Sequence, residues 1–383
     1  MNFQKLRDFL DYFVPTLGVP GTDTAVFKDH EEIFRYSSGY DSIRDKTPVR
    51  RDAIYNIYSA TKVATAVAVA QLIERGEILM TDPLYAYFPE YRHMKVKTDT
   101  GDGNFTLTDA KSPILISNLL NMTSGFDYNL QCDAIQRVKR GTGGRCPTLD
   151  VIRALADEPL QFEPGENFMY GLSIDILGGL VELVSGMKLS AYMKENIFDP
   201  LGMKDTRFGC PPDKLDRLAT QYKYDTATKS AIEIGKTEND FNLGYEFESG
   251  GAGLTSTVDD YILLADMLAN RGVAKNGNRI LSSYTVDMMR QNTLSGKALE
   301  TFRCIPQVSG YGYSFAMRVN MAPSLVGNLA PVGEFGWDGM RLCYLSADAE
   351  NRLAVFMACY VNGPHPVLHP RLRNIIYGCL DAE

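Results

Sequence analysis

Between residues 60 and 75 the chain carries Val63-Ala64-Thr65-Ala66-Val67-Ala68-Val69-Ala70, a stretch apolar nearly all round a helix. Such a helix has no face to give to water, so it must run through the centre of a protein large enough to enclose it. Gly76 stands just past its end, the usual C′ place, and the predicted helix covers 60–75. The chain has 383 residues, 45% of them hydrophobic, and at roughly 100–200 residues per domain it has the material to surround that helix.

Charge and cysteine use narrow the class. Thirty-nine basic residues against 47 acidic ones leave a net charge of −8, which argues against a nucleic-acid partner because that needs a basic stripe. No apolar run reaches the roughly 18 residues of a membrane helix. Near the N-terminus Phe3, Leu6, Phe9 and Leu10 fall at helical spacing among Lys5, Arg7 and Asp8. That pattern reads as an amphipathic surface helix and not a signal peptide. Seven cysteines are scattered and never form CxxC, so neither a disulfide framework nor a zinc ribbon is expected, and the chain reads as cytoplasmic.

Two short runs, 22–28 and 32–40, flank Asp29-His30 and predict a β-hairpin. The middle of the chain reads as helical, with candidates at 114–122, 151–155, 173–185 and 189–197. The segments 95–111, 141–144 and 226–240 read as polar or glycine-rich connectors. A helix capped by Thr257 carries Asp259 and Asp260 in its first turn, where the helix dipole favours them. The last third turns to strands, at 313–319, 341–346 and 353–361 with a turn at 348–351, and ends in a helix over 371–380. Strands at both ends with helices between them predict an α+β fold, one antiparallel sheet built from both termini and flanked by helices. The expected division is a discontinuous domain of 1–78 and 241–383, with 79–240 as an inserted, mostly helical domain and the active site between them.

Four histidines, at 30, 93, 365 and 369, are few for a metalloenzyme. His365 and His369 are four apart, but Pro366 and Pro370 are expected to break the helix that would align them, so no metal site is expected. GxSxG, HExxH, the P-loop and GxGxxG are all missing. What remains is Ser59-Ala60-Thr61-Lys62. Residues three apart share a helix face, so the Ser59 hydroxyl and the Lys62 amine can meet. A serine hydroxyl needs a base to become a nucleophile, and a lysine can serve if desolvation disfavours its ammonium form. This pair opens the most apolar helix in the chain. A second SxxK, Ser185-Gly186-Met187-Lys188, sits at a helix end with glycine after the serine, and reads as a solvated connector.

Further motifs follow in order. Pro20-Gly21 precedes the hairpin; then come Tyr58-Ser59-Ala60-Thr61-Lys62, Asp82-Pro83-Leu84 with Tyr87-Phe88-Pro89, and Leu119-Leu120-Asn121-Met122-Thr123-Ser124-Gly125-Phe126. Next are Phe162-Glu163-Pro164-Gly165, Tyr170, Pro200-Leu201-Gly202-Met203, Gly251-Ala252-Gly253-Leu254, and finally Gly336-Trp337-Asp338-Gly339. This ordered set, spanning nearly the whole chain, resembles the serine β-lactamase and penicillin-binding-protein superfamily, in particular its class C-like branch.

The resemblance implies that Ser59 is acylated, Lys62 is its base partner and Tyr170 is a second base that serves the leaving group. It places the oxyanion on the backbone amides of Ser59 and Met340, with Gly339 allowing close backbone approach. Two departures matter. Where the family often has Tyr-x-Asn this chain has Tyr170-Gly171-Leu172, and where it has Lys/His-Thr-Gly this chain has Trp337-Asp338-Gly339. An amide-binding group has become apolar and a cation has become indole plus carboxylate, so Leu172, Trp337 and Asp338 look like those of the family VIII carboxylesterases and their acyltransferase relatives. Phe126, Tyr128 and Tyr245 are candidates to line an acyl or alcohol pocket. The expected function is a serine hydrolase acting on esters of small or medium acyl groups, needing no cofactor, with a small-molecule ester as partner. The alternatives are a β-lactamase or D-Ala-D-Ala carboxypeptidase-like enzyme, and a catalytically silent binding protein of the same fold.

Overall fold

Strands from the two ends of the chain meet in the middle of one sheet. The computed structural model describes residues 1–101, 104–236, 239, 241–305, 308–362 and 365–381. Numbering only the strands of the main sheet, these are β1 (Gly21–Lys28), β2 (Glu31–Ser42), β3 (Thr47–Pro48), β4 (Tyr311–Ser314), β5 (Met317–Asn320), β6 (Phe335–Gly336), β7 (Tyr344–Asp348) and β8 (Leu353–Ala358). They lie in the order β4-β5-β6-β7-β8-β1-β2-β3. Every neighbouring pair is antiparallel. The junction of the two termini is β1 on β8, with Val26 opposite Val355. Asp29 and His30 both take positive φ, as the tight turn between β1 and β2 requires.

Five helices matter for the site: α1 (Gln4–Thr16), α2 (Thr61–Glu74), α3 (Ser173–Ser185), α4 (Val258–Ala269) and α5 (His365–Leu380). α1 buries Leu6 and Leu10 and packs on α5 and β2. α4 starts where Thr257 caps it, its Oγ1 accepting from the Asp260 amide at 3.1 Å, and lies across β1, β7 and β8. α2 is buried without a break from Thr61 to Leu72 and packs on α3. Its apolar circumference is thereby explained: protein covers every side, and each buried valine contributes about 1.5–3 kcal/mol relative to exposure.

The architecture is the expected α+β one, and several local readings differ. Residues 313–319 are not one strand but the hairpin β4–β5, turning through Phe315 and Ala316, both at positive φ and both buried. Segment 95–111 holds a two-stranded hairpin, Lys95–Asp99 with Phe105–Asp109. Gln221–Asp225 and Ser230–Gly235 form another, whose second strand falls within the 226–240 stretch expected to be a connector; residues 237, 238 and 240 of that stretch lie outside the described residues. α5 begins at His365 and runs through Pro370 rather than starting at 371. Neither proline ends that helix: Pro366 falls in its first turn, where no N–H is needed, and the helix continues through Pro370 in its interior. The side chains of His365 and Pro366 lie outside the described residues. Helices Asp133–Gly141, Ser283–Met289 and Gly296–Arg303 stand where the sequence reading placed none.

Candidate active site

α2 is entered through a single 3-10 turn, Tyr58–Ala60. The Ile57 amide donates to the Leu254 carbonyl at 3.1 Å, and the Leu254 amide donates back to Thr61 Oγ1 at 3.1 Å. Tyr58 sits at φ +47°, so the residue before Ser59 is held in a conformation that non-glycine residues rarely adopt. Lys62, one turn on, is fully buried. Its Nζ donates to the Gly251 carbonyl at 2.7 Å, to Ser59 Oγ at 3.3 Å and to the Tyr128 hydroxyl at 3.4 Å. The same nitrogen lies 4.6 Å from the ring centre of Tyr170. Beneath it Asp175 accepts from Ser249 Oγ at 2.5 Å and from the Gly251 amide at 3.2 Å. Burial pushes the Asp175 carboxyl above the ordinary aspartate value, and the Lys62 charge pulls it partway back.

The second SxxK behaves as a connector. Ser185 Oγ donates to its own helix at the Val181 carbonyl, 2.6 Å, while half-exposed Lys188 pairs with Glu182 at 2.7 Å.

Tyr170 comes from the segment just before α3. Its ring stacks on Trp337, centroids 5.7 Å apart, and its hydroxyl accepts from Trp337 Nε1 at 3.0 Å. The Tyr128 ring centre lies 5.8 Å from that of Tyr170. Trp337 continues the chain out of β6, and the residues after it turn toward the Ser59 loop. The Gly339 amide donates to the Cys343 carbonyl at 2.8 Å. A Cβ on Gly339 would stand 2.3 Å from the Ile57 carbonyl oxygen, so only glycine lets this segment press against the entry to α2. Asp338 is ion-paired to buried Arg318 at 2.8 Å, and its carboxylate lies 3.3 Å from Nδ1 of buried His369 in α5.

These residues enclose a cavity of 680 Å³ lined by Ser59, Tyr128, Asn129, Leu130, Gln131, Tyr170, Phe241, Trp337, Asp338, Gly339 and Met340. Ser59, Tyr128, Tyr170, Trp337, Asp338, Gly339 and Met340 were singled out from the sequence, and the structure brings them together with Lys62 directly beneath. Three others it does not. Phe126 is buried in the core against Tyr91, and Leu172 is buried at the start of α3; neither lines the cavity. Tyr245, 76% exposed, belongs to a separate pocket with Phe208 and Cys210. Phe241, Asn129, Leu130 and Gln131 lie in segments without a local signature. Asp175 had one: a lone acid inside the apolar run Ile174-Asp175-Ile176-Leu177. Among the described residues no group of three or more His, Cys, Asp or Glu is placed to hold a metal, and no helix is long and apolar enough to cross a membrane.

The architecture around this cavity is β-lactamase/transpeptidase-like. The beta-lactamase family model matches residues 4–378, and the chain belongs to that family. It is 30% identical over 338 residues to Protein Rv1367c of Mycobacterium tuberculosis, covering 86% of this chain and 82% of that protein. It is 28% identical over 342 residues to Esterase EstB of Burkholderia gladioli, covering 84% of this chain and 80% of the relative. Other relatives are named as acyltransferases. Among solved structures, EstCE1, described as a hydrolase with promiscuous acyltransferase activity, superposes with a TM-score of 0.78 at 23% identity, covering 98% of both chains.

Proposed function

We propose that this protein is a serine esterase that cleaves neutral esters of small or medium acyl groups through an acyl-enzyme on Ser59. One observation carries the reading: a buried lysine nitrogen 3.3 Å from a serine hydroxyl that opens into an aromatic cavity. Acting as a neutral amine, Lys62 takes the Ser59 proton as Oγ attacks the ester carbonyl. The carbonyl oxygen gathers charge between the Ser59 and Met340 amides. The carbonyl re-forms as the alkoxide departs with a proton delivered through Tyr170, whose hydroxyl the Trp337 indole N–H holds in direction. Water, or an acceptor alcohol, then attacks the acyl group and the same proton path runs in reverse. The names of the relatives, esterases and acyltransferases, support this class of chemistry.

Charge decides the substrate class. No lysine or arginine lines the cavity among the described residues, and its one charged lining residue is the Asp338 carboxylate. An acyl or lactam substrate bearing a carboxylate finds no lining cation to hold it. The test compares p-nitrophenyl butyrate with a chromogenic cephalosporin. Ester turnover with little lactam turnover is expected; efficient lactam turnover with negligible esterase activity would move the assignment to a β-lactamase or peptidase. Absence of fluorophosphonate labelling at Ser59 would point to a silent binding protein.

Tyr170 and Trp337 make a paired prediction. Tyr170→Phe is expected to lower kcat by about 10²–10⁴-fold, the usual range for losing acid–base assistance. Trp337→Phe keeps an aromatic wall but removes one hydrogen bond, worth about 0.5–1.5 kcal/mol, so a loss of about tenfold or less is expected. Steady-state kinetics on the same ester measure both, and a larger loss in Trp337→Phe than in Tyr170→Phe would contradict the roles assigned.

A further inference from the structure

The two amides assigned to the oxyanion belong to opposite ends of the chain, and one side chain ties their neighbours together. Arg341 follows Met340, and Tyr58 precedes Ser59. Arg341 is buried; its Nε donates to the Tyr58 hydroxyl oxygen at 3.1 Å and its Nη1 to the Tyr222 carbonyl at 2.6 Å. The Tyr58 hydroxyl in turn donates to Gln221 Oε1 at 2.5 Å. Both ends of this chain of bonds thus land on adjacent residues of the strand Gln221–Asp225. That strand is fixed by the Tyr222 amide donating to the Tyr360 carbonyl at 2.9 Å, just past β8. The guanidinium also lies 5.6 Å from the centre of the Tyr58 ring. A non-glycine residue at φ +47° persists only where its surroundings hold it there, and these contacts do so.

We propose that Arg341 is a positioning residue that clamps the Ser59 and Met340 amides at their working separation through the Tyr58 hydroxyl. The proposal rests on the serine esterase reading above and goes beyond it by naming what sets the oxyanion geometry. Gly339 lets the late segment press close against Ile57; Arg341 limits how far it can drift away. Oxyanion donors help the transition state more than the bound ester, and a small misplacement is costly in rate. A slack clamp therefore slows the chemical step and leaves ester binding nearly intact.

The test uses Tyr58→Phe, which keeps the ring and removes the hydroxyl, together with Arg341→Met and the double variant. Each single variant is expected to lower kcat for p-nitrophenyl butyrate by about 10–100-fold with KM changed by less than about threefold. A boronic acid that mimics the tetrahedral adduct should lose affinity by a similar factor. The double variant should be no slower than the slower single one, because both cut the same connection. Should Arg341→Met fail to fold, Tyr58→Phe alone decides. The clamp is overturned if kcat stays within about twofold, if KM rises instead, or if the two losses multiply. Fluorophosphonate labelling of wild-type Ser59 keeps the two failures apart. Labelled, active wild type with unaffected variants sinks only the clamp; unlabelled, inactive wild type sinks the esterase reading and the clamp with it.

Discussion

Replacing Ser59 by alanine is expected to reduce ester turnover by at least about 10⁴-fold, with folding stability changed by no more than about 1 kcal/mol. The loss is large because the hydroxyl is the only atom proposed to form a bond with the substrate, and no other group in the cavity substitutes for it. The fold should tolerate the change. Ser59 Oγ accepts one hydrogen bond, from Lys62, and Lys62 Nζ keeps its shorter bond to the Gly251 carbonyl. Covalent labelling by a fluorophosphonate should vanish in parallel. A variant retaining more than a few per cent of wild-type turnover, or still labelled at the same peptide, would overturn the mechanism.

Lys62→Met is expected to lower kcat/KM by about 10²–10⁴-fold and also to destabilise the protein, by about 1–3 kcal/mol. Methionine keeps the length and apolar stem but leaves the buried Gly251 carbonyl without its 2.7 Å donor and Asp175 without a nearby positive charge. The pH dependence has a definite sign. Burial raises the Asp175 carboxyl, and Lys62 opposes that rise; without Lys62 the folded-state value climbs further. A carboxyl raised on folding binds more protons in the native state, so stability falls as pH rises through the window between the unfolded and folded values. The stability deficit of Lys62→Met should therefore shrink as pH is lowered from about 7 to about 5. Adding Asp175→Asn should recover stability at neutral pH without recovering activity. Urea midpoints at the two pH values measure this; a deficit that grows on acidification would show that Asp175 is not the group left uncompensated.

Much of this was legible in residue order. The all-round apolar helix, Gly76 behind it, the Asp29-His30 turn and the Thr257 cap are local signals with local causes, and each appears in the structure where it was read. The β4–β5 turn was not legible, because Phe315-Ala316 lacks the Asn or Gly that positive φ ordinarily demands. Burial of both residues, and the Ala316 amide donating to the Leu120 carbonyl at 2.8 Å, hold it in place. The prolines of α5 misled in two ways: the true start at His365 puts Pro366 in the first turn, where proline is tolerated, and the helix runs on through the interior Pro370 although that residue has no N–H to give to the ladder.

At the site, residue type and spacing by themselves determined that a hydroxyl and an amine would share one face of a buried helix. That is a property of helical geometry and of an apolar run too complete to meet water. Which aromatic rings enclose the pair was decided only by tertiary structure: Phe241 stands in the cavity, while Phe126 and Tyr245 go elsewhere. The bond from Arg341 to Tyr58 belongs to the same category. Its partners are brought together by sheet pairing and helix packing over the length of the chain, and no local preference of either residue encodes where the other will be.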